Sequence, residues 1–152
     1  MIYWFTGQPG HGKTVLAKAL KEYLELNYPL KKGKVFHVDG DDLRDLTENK
    51  DYSRKGREAN IERAQNISQY LNNKGNDVVV SLVAPYENIR QSFKDRLGDD
   101  ISEFYVYTSE VRGREHFHSD EYEKPTKEFL SVDTTDTPVE SSLIEIINYL
   151  KI

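Results

Sequence analysis

The segment GQPGHGKT, Gly7 to Thr14, constrains this chain more than any other stretch, because a turn so poor in side chains lies between an apolar run and a helical pattern. It fits G-x-x-x-x-G-K-[ST], and its flanks are those the motif requires. MIYWFT ahead of it reads as a buried strand, and Leu16, Leu20 and Tyr23/Leu24 behind it recur at helical spacing. Gly7 and Gly12 can take backbone angles that other residues avoid, so successive N–H groups turn inward around a polyphosphate. The helix opening near Lys13 adds its positive dipole end to the same spot. Lys13 brings a full charge to the β- and γ-phosphates, and the Thr14 hydroxyl is placed to ligate Mg²⁺. ATP with Mg²⁺ is therefore the expected ligand, held by Gly7, Gln8, Pro9, Gly10, His11, Gly12, Lys13, Thr14 and Val15. His11 reads as a residue that positions the loop or touches phosphate rather than a base.

Strands and helices alternate through the rest of the chain. Lys34–Gly40 (KVFHVDG) is a second strand, and Gly56–Asn73 puts Ile61, Ala64, Ile67 and Leu71 on one helical face before Gly75 stops it. DVVVSLVAP, Asp77–Pro85, is a nearly continuous apolar run of the kind buried on both sides. Tyr86, Ile89, Phe93 and Leu97 mark another helix, EFYVYTS and EFLSVDT two more strands, and Thr137-Pro138 a last helix with proline at its first position. This order predicts an α/β, three-layer P-loop NTPase fold with a mainly parallel five-stranded sheet. No repeat or long linker divides it, so residues 1–152 read as a single domain. Val111–Lys127, VRGREHFHSDEYEKPTK, lacks periodicity and reads as a mobile lid.

Composition narrows the partners. The net charge is −5 and no basic stripe occurs, which argues against a nucleic-acid surface. No apolar run approaches the roughly 20 residues of a membrane helix. No leader precedes the first strand and there is no cysteine, so a cytoplasmic setting is expected, without disulfides, zinc–thiolate sites or a thiol nucleophile. His116 and His118 form an H-x-H pair without a third ligand at a familiar spacing, so they read as substrate-edge or solvated residues. His37 alternates with apolar neighbours and reads as structural.

Phosphate binding alone does not identify a reaction. A GTPase or mechanical ATPase would usually end a later hydrophobic strand in an acid, whereas here the acids follow the second strand, in VDGDDLR. A carboxylate there, Asp39 with Asp41 beside it, can accept a hydroxyl proton and hold Mg²⁺ or its water. That arrangement belongs to small-molecule kinases. An acidic helix cap is the competing reading of these aspartates.

At this point the chain resembles the adenylylsulfate (APS) kinase family, which transfers the γ-phosphate of ATP to the 3′-hydroxyl of adenosine 5′-phosphosulfate, giving PAPS. WFTGQPGHGKT, VDGDDLR, NKDYSRKGREANIER, SLVAPYENIR and SDEYEKP follow that family's segments in order. The resemblance implies that Asp39 and Asp41 stand at the reacting hydroxyl, with Lys13 as a further catalytic group and Thr14 and Asp39 on the metal. It implies that Arg44, Arg57 and Asn60 grip the phosphosulfate and sugar with support from Arg63, and that Leu82 and Val83 line the pocket. Tyr52 and Phe117 would sandwich the APS adenine, and Arg114, with Arg112 as second choice, would pack on the ATP adenine. A dianionic, planar substrate calls for such arginine forks and flat faces. For Arg57 and Arg63 the competing reading is a solvated helix face. The resemblance also implies a homodimer.

Three departures from the family bear on the acceptor. Ala84 stands where many members carry serine; the lid is shorter, with RGREHF in place of a longer basic run; and an F-T-G-I segment is absent. A P-loop kinase acting on another nucleotide or small hydroxylated metabolite, and a nucleotide-binding module without transfer activity, remain the alternatives at this stage. A regulatory GTPase is weakened by the lack of a guanine-reading N-K-x-D.

Overall fold

A computed structural model describes all residues, 1–152. In chain order the elements are β1 (Ile2–Thr6), α1 (Lys13–Asn27), β2 (Val35–Asp39), α2 (Gly40–Thr47), α3 (Arg54–Asn73), β3 (Asp77–Ser81), α4 (Glu87–Leu97), β4 (Ile101–Tyr107), β5 (Phe129–Asp133) and α5 (Val139–Leu150). Short 3₁₀ turns lie at Pro29–Lys31, Gly98–Asp100 and Glu115–Phe117. The five strands pair in the order β2-β3-β1-β4-β5, and every pairing is parallel.

β1 takes the centre because all five of its residues are buried, which only a strand covered on both faces tolerates. Its alternate residues serve two cores. Ile2 and Trp4 join Val78, Val80, Leu43, Ile61, Ala64 and Phe93 on the face carrying α2, α3 and α4. Tyr3 and Phe5 join Leu16, Leu20, Leu24, Val79, Phe104 and Ile146 on the face carrying α1 and α5. Trp4 meets Phe93 edge-on at 5.6 Å, and Phe5 stacks on Phe104 at 4.8 Å. Side chains of this size contribute roughly 1.5–3 kcal/mol each when fully buried, so each core needs only its own helices to be worth forming.

Three sequence expectations change. The run to Pro85 leaves the sheet at Ser81, and Leu82 to Pro85 continue as an apolar loop in which Ala84 adopts φ 44°. Helix α2 is absent from the periodicity argument because only Leu43 of its eight residues is a buried large apolar one. Pro138 caps α5 from outside, so that helix begins at Val139.

Beneath α4 sits a buried charge cluster. Glu103 on β4 accepts from Arg90 Nε at 3.1 Å and from Lys94 Nζ at 2.9 Å. The same two cations reach carbonyls of Ala84, Glu123 and Lys127, so they tie the loop after β3 and the C-terminal end of the segment 111–127 to the sheet. Removing one partner of a buried ion pair leaves an uncompensated charge, typically costing about 3–5 kcal/mol. Glu103→Gln is therefore expected to lose stability of that order in urea unfolding; a loss below about 1 kcal/mol would show that water reaches the cluster.

Candidate active site

Parallel strands deliver their C-terminal ends to one edge, where open α/β sheets bind ligands. There the loop after β1, the start of α2, the loop before α3, the loop after β3 and the segment 114–119 surround a cleft of about 540 Å³. Of the expected residues, Pro9, Gly10, Lys13, Thr14, Asp39, Asp41, Arg44, Tyr52, Arg57, Asn60, Leu82, Val83, Arg114 and Phe117 line it. Gly7, Gln8, His11, Gly12, Val15 and Arg63 do not.

The loop Gly7–Thr14 has the conformation its glycines suggest. A Cβ at Gly7 would lie 2.1 Å from the Val106 carbonyl oxygen, and Gly12 caps α1 at φ 102°. Lys13 is buried and donates from Nζ to the Gln8 carbonyl at 2.9 Å. Burial pulls its pKa down to about 8, against the opposing pull of Asp41 and Asp39 and with help from the charge of Arg114. An ammonium so poorly solvated is suited to receive phosphate oxygens. The first N–H groups of α1 lack intrahelical partners and add donors at the same place. Val15 points out of the loop and is exposed.

Asp39 ends β2 and performs two tasks at once. Its Oδ2 accepts from the backbone N–H groups of Asp41 and Asp42 at 3.2 and 3.4 Å, capping α2. Its Oδ1 accepts from Thr14 Oγ1 at 3.0 Å and from Ser81 Oγ at 2.6 Å. The helix-cap reading of the sequence is correct, yet the capping carboxylate also faces the cleft. Thr14 and Asp39 together offer hard oxygen donors 3.0 Å apart at the phosphate loop. Magnesium with a nucleotide usually takes one or two protein oxygens and fills its remaining positions with phosphate and water. The donors present fit that ion.

Arg44 is braced by carbonyl oxygens of Asn49 and Asp51, at 3.2 and 3.0 Å, and lies 4.0 Å from the centre of the Tyr52 ring. That loop can wrap closely onto α3 because Gly56 has no Cβ; one would fall 2.1 Å from the Asp51 carbonyl oxygen. Asn60 is buried, donates to the Gly40 carbonyl at 3.3 Å, and leaves its own Oδ1 without a partner. Arg57 and Asn60 share the cleft wall, but Arg63 donates to Thr47 Oγ1 at 3.2 Å and ties α3 to α2. Six residues along a helix amount to about 600°, or about 120° away from the starting direction, so Arg57 and Arg63 part company.

The segment after β4 lies against the phosphate loop. Gln8 and Ser119 exchange two hydrogen bonds, at 2.8 and 2.9 Å, and His118 Nε2 donates to the Pro9 carbonyl at 3.2 Å. His118 also meets His11 edge-on at 5.0 Å. Burial first, then the charges of His118, Lys13 and Arg112, push His11 down to about 4. Tyr122 OH pairs with Thr6 Oγ1 at 2.9 Å, and the Glu123 N–H donates to the Pro85 carbonyl at 2.8 Å. Arg57 donates to Ser119 Oγ at 2.8 Å. Arg114 covers Gly10, while Arg112 stands near Gly12 and donates to the Thr134 carbonyl at 2.9 Å. Phe117 packs on His116 with ring centres 3.9 Å apart.

Sequence reasoning missed Ser81 and Ser119 as lining residues, while His116 and His118, read as substrate-edge or solvated, stand at the cleft. Ser81 carried a usable signal, a hydroxyl at the end of an otherwise apolar parallel strand. Ser119 carried none, because only the folded segment brings it to Arg57 and Gln8.

Known proteins share this arrangement. The adenylylsulphate kinase family model matches residues 1–129. The adenylyl-sulfate kinase of Oceanobacillus iheyensis is 30% identical over 171 residues, covering 99% of this chain and 83% of its own. That of Picosynechococcus is 37% identical over 102 residues, which is 66% of this chain and 55% of the relative. Among solved structures, the Mycobacterium tuberculosis APS kinase in complex with AMPPNP and APS superposes with a TM-score of 0.79 at 25% identity, over 99% of this chain and 97% of that one. A match that runs from the phosphate loop through the lid, carried by sequence and by fold alike, makes this chain a member of the adenylylsulphate kinase family.

Proposed function

We infer that this protein is an ATP-dependent kinase that phosphorylates the 3′-hydroxyl of adenosine 5′-phosphosulfate, yielding PAPS and ADP. The observation that carries this reading is the continuity of the cleft: one cavity is lined by Lys13 and Thr14 of the phosphate loop, by Arg44, Tyr52, Arg57 and Asn60 of α2, α3 and the loop between them, and by Asp39. The γ-phosphate of ATP bound at the loop and a hydroxyl held by the arginines would meet at Asp39. The attacking oxygen forms its bond to phosphorus as the bridge to ADP breaks, and Asp39 takes the hydroxyl proton. Lys13 and the α1 N-terminus hold charge on the transferring group. Mg²⁺, held by Thr14 and Asp39, would neutralise the β- and γ-phosphates when bound. The segment 114–119 covers the loop and excludes water that would otherwise compete with the acceptor.

The test is incubation with MgATP and APS, with ADP and PAPS quantified by chromatography and Lys13→Ala as control. Matching amounts of ADP and PAPS that vanish in the control support the reading. ADP without PAPS would assign the acceptor site to another nucleotide or hydroxylated metabolite, the alternative that the short lid raises.

Phe117 offers a narrower test. Phe117 is exposed at the cleft edge, where its ring could meet a base, and stacking of this kind is worth about 1–3 kcal/mol. Phe117→Ala is expected to weaken APS binding by that amount in calorimetry and to leave ATP affinity almost unchanged. Equal losses for both ligands would remove Phe117 from the acceptor pocket.

A further inference from the structure

We propose that His37 and Ser81 are positioning residues for Asp39, joined to it in a one-way chain of hydrogen bonds that runs from His37 Nε2–H to Ser81 Oγ–H to Asp39 Oδ1. What the carboxylate does depends on the kinase reading; the existence of the chain does not. The sheet builds it. Asp39 and Ser81 are register partners on β2 and β3, and His37 lies two residues before Asp39, so all three side chains emerge on the α1 face.

The direction of the chain follows from counting hydrogens. Ser81 Oγ is 2.6 Å from Asp39 Oδ1 and 2.7 Å from His37 Nε2. A hydroxyl has one proton, and a carboxylate oxygen only accepts. Two bare oxygens would repel each other at 2.6 Å, so the Ser81 proton lies toward Asp39. Ser81 must then accept from His37, which fixes the imidazole as its Nε2–H tautomer.

The chain gains importance when substrates arrive. In the present arrangement Oδ1 has two hydroxyl donors, Thr14 and Ser81, while Oδ2 is pinned by the α2 backbone. Phosphate and metal chemistry at the loop draws on the Thr14 hydroxyl, leaving Ser81 as the donor that stops the carboxylate from swinging about its fixed oxygen. Ser81 is itself buried, and His37 leaves its proton no better direction than Asp39. A reacting group misplaced by about 1 Å can lose about 10² in rate.

Histidine-ring NMR of the full chain tests the chain of bonds directly, with the His37→Gln spectrum identifying the His37 signals. The expected result is the Nε2–H tautomer in the natural protein, and a switch toward Nδ1–H in Asp39→Asn, where Ser81 is free to donate to the ring. The Nδ1–H tautomer in the natural protein would overturn the proposal, whether or not PAPS is ever formed. Kinetics, read as ADP release, test the consequence. Ser81→Ala should lower kcat by roughly 10-fold or more, the value of one hydrogen bond to a charged group, with both KM values nearly unchanged. His37→Leu should lower kcat as well, His37→Gln should restore most of it through an amide donor in place of Nε2–H, and His37→Leu should add nothing in a Ser81→Ala background. Equal losses in His37→Leu and His37→Gln, or losses that multiply in the double variant, would give His37 a merely structural part and sink the idea. A natural protein that makes no PAPS yet keeps the Nε2–H tautomer would count against the kinase reading alone.

Discussion

Asp39→Asn is expected to cut turnover by about 10²–10⁴-fold, the range a general base supplies, while fold and ATP affinity stay close to those of the natural chain. The choice of asparagine matters because Asp39 is also the α2 cap. Alanine would remove the cap and the base together, adding roughly 1 kcal/mol of instability to the kinetic loss. Asparagine keeps an oxygen for the two backbone N–H groups and turns its amide toward Thr14 and Ser81, whose hydroxyls can rotate to accept. Single-turnover transfer, thermal unfolding and nucleotide calorimetry on the same variant separate these effects. Near-normal turnover in Asp39→Asn would remove Asp39 as the base and direct attention to Asp41, which lines the same cleft.

Lys13→Met should behave differently: turnover falls by about 10²–10³-fold, as when one preorganised donor to developing charge is lost, and ATP affinity falls with it. Stability should not fall. In the ligand-free protein Lys13 holds a buried ammonium against a single carbonyl, with its pKa pulled to about 8 by desolvation. Methionine fills similar space without that cost. A variant that is at least as stable yet inactive would mark Lys13 as a residue kept for phosphate, at the expense of the empty fold. A variant that unfolds at lower temperature would instead assign Lys13 a structural role.

Legibility in the sequence followed the density of local signals. The phosphate loop could be read because strand, glycines, lysine and helix all fall within about twenty consecutive residues, and each supports the same geometry. The parallel sheet followed from β1 and β3, whose runs lack the alternation of a half-exposed strand. The end of β3 was not legible: Leu82 and Ala84 are buried off the sheet and Val80 is buried on it, so apolar content does not mark where pairing stops. Helix α2 was missed because its exposed Leu46 breaks any apolar face, although the Asp39 cap was visible. Ser119 on Arg57, and the chain from His37 through Ser81, depend on residues 62 and 44 positions apart meeting across the fold, and no local pattern encodes that. The family resemblance reached most of the cleft, and Arg63, given a supporting part there, stands behind it on Thr47 of α2.

The central position of β1 has a consequence for how the chain is made. Ile2 pairs with Val78 on one side and Ile101 on the other, so the middle strand precedes both neighbours by more than 70 residues. At synthesis rates of about 5–20 residues per second, β1 is translated roughly 4–15 s before its first partner. For that interval Ile-Tyr-Trp-Phe-Thr is an unpaired apolar β segment, of the type that recruits other chains. The nascent protein therefore has to keep its future core strand from partners other than its own, and slowed translation between α3 and β4 would lengthen the time during which aggregation competes with folding.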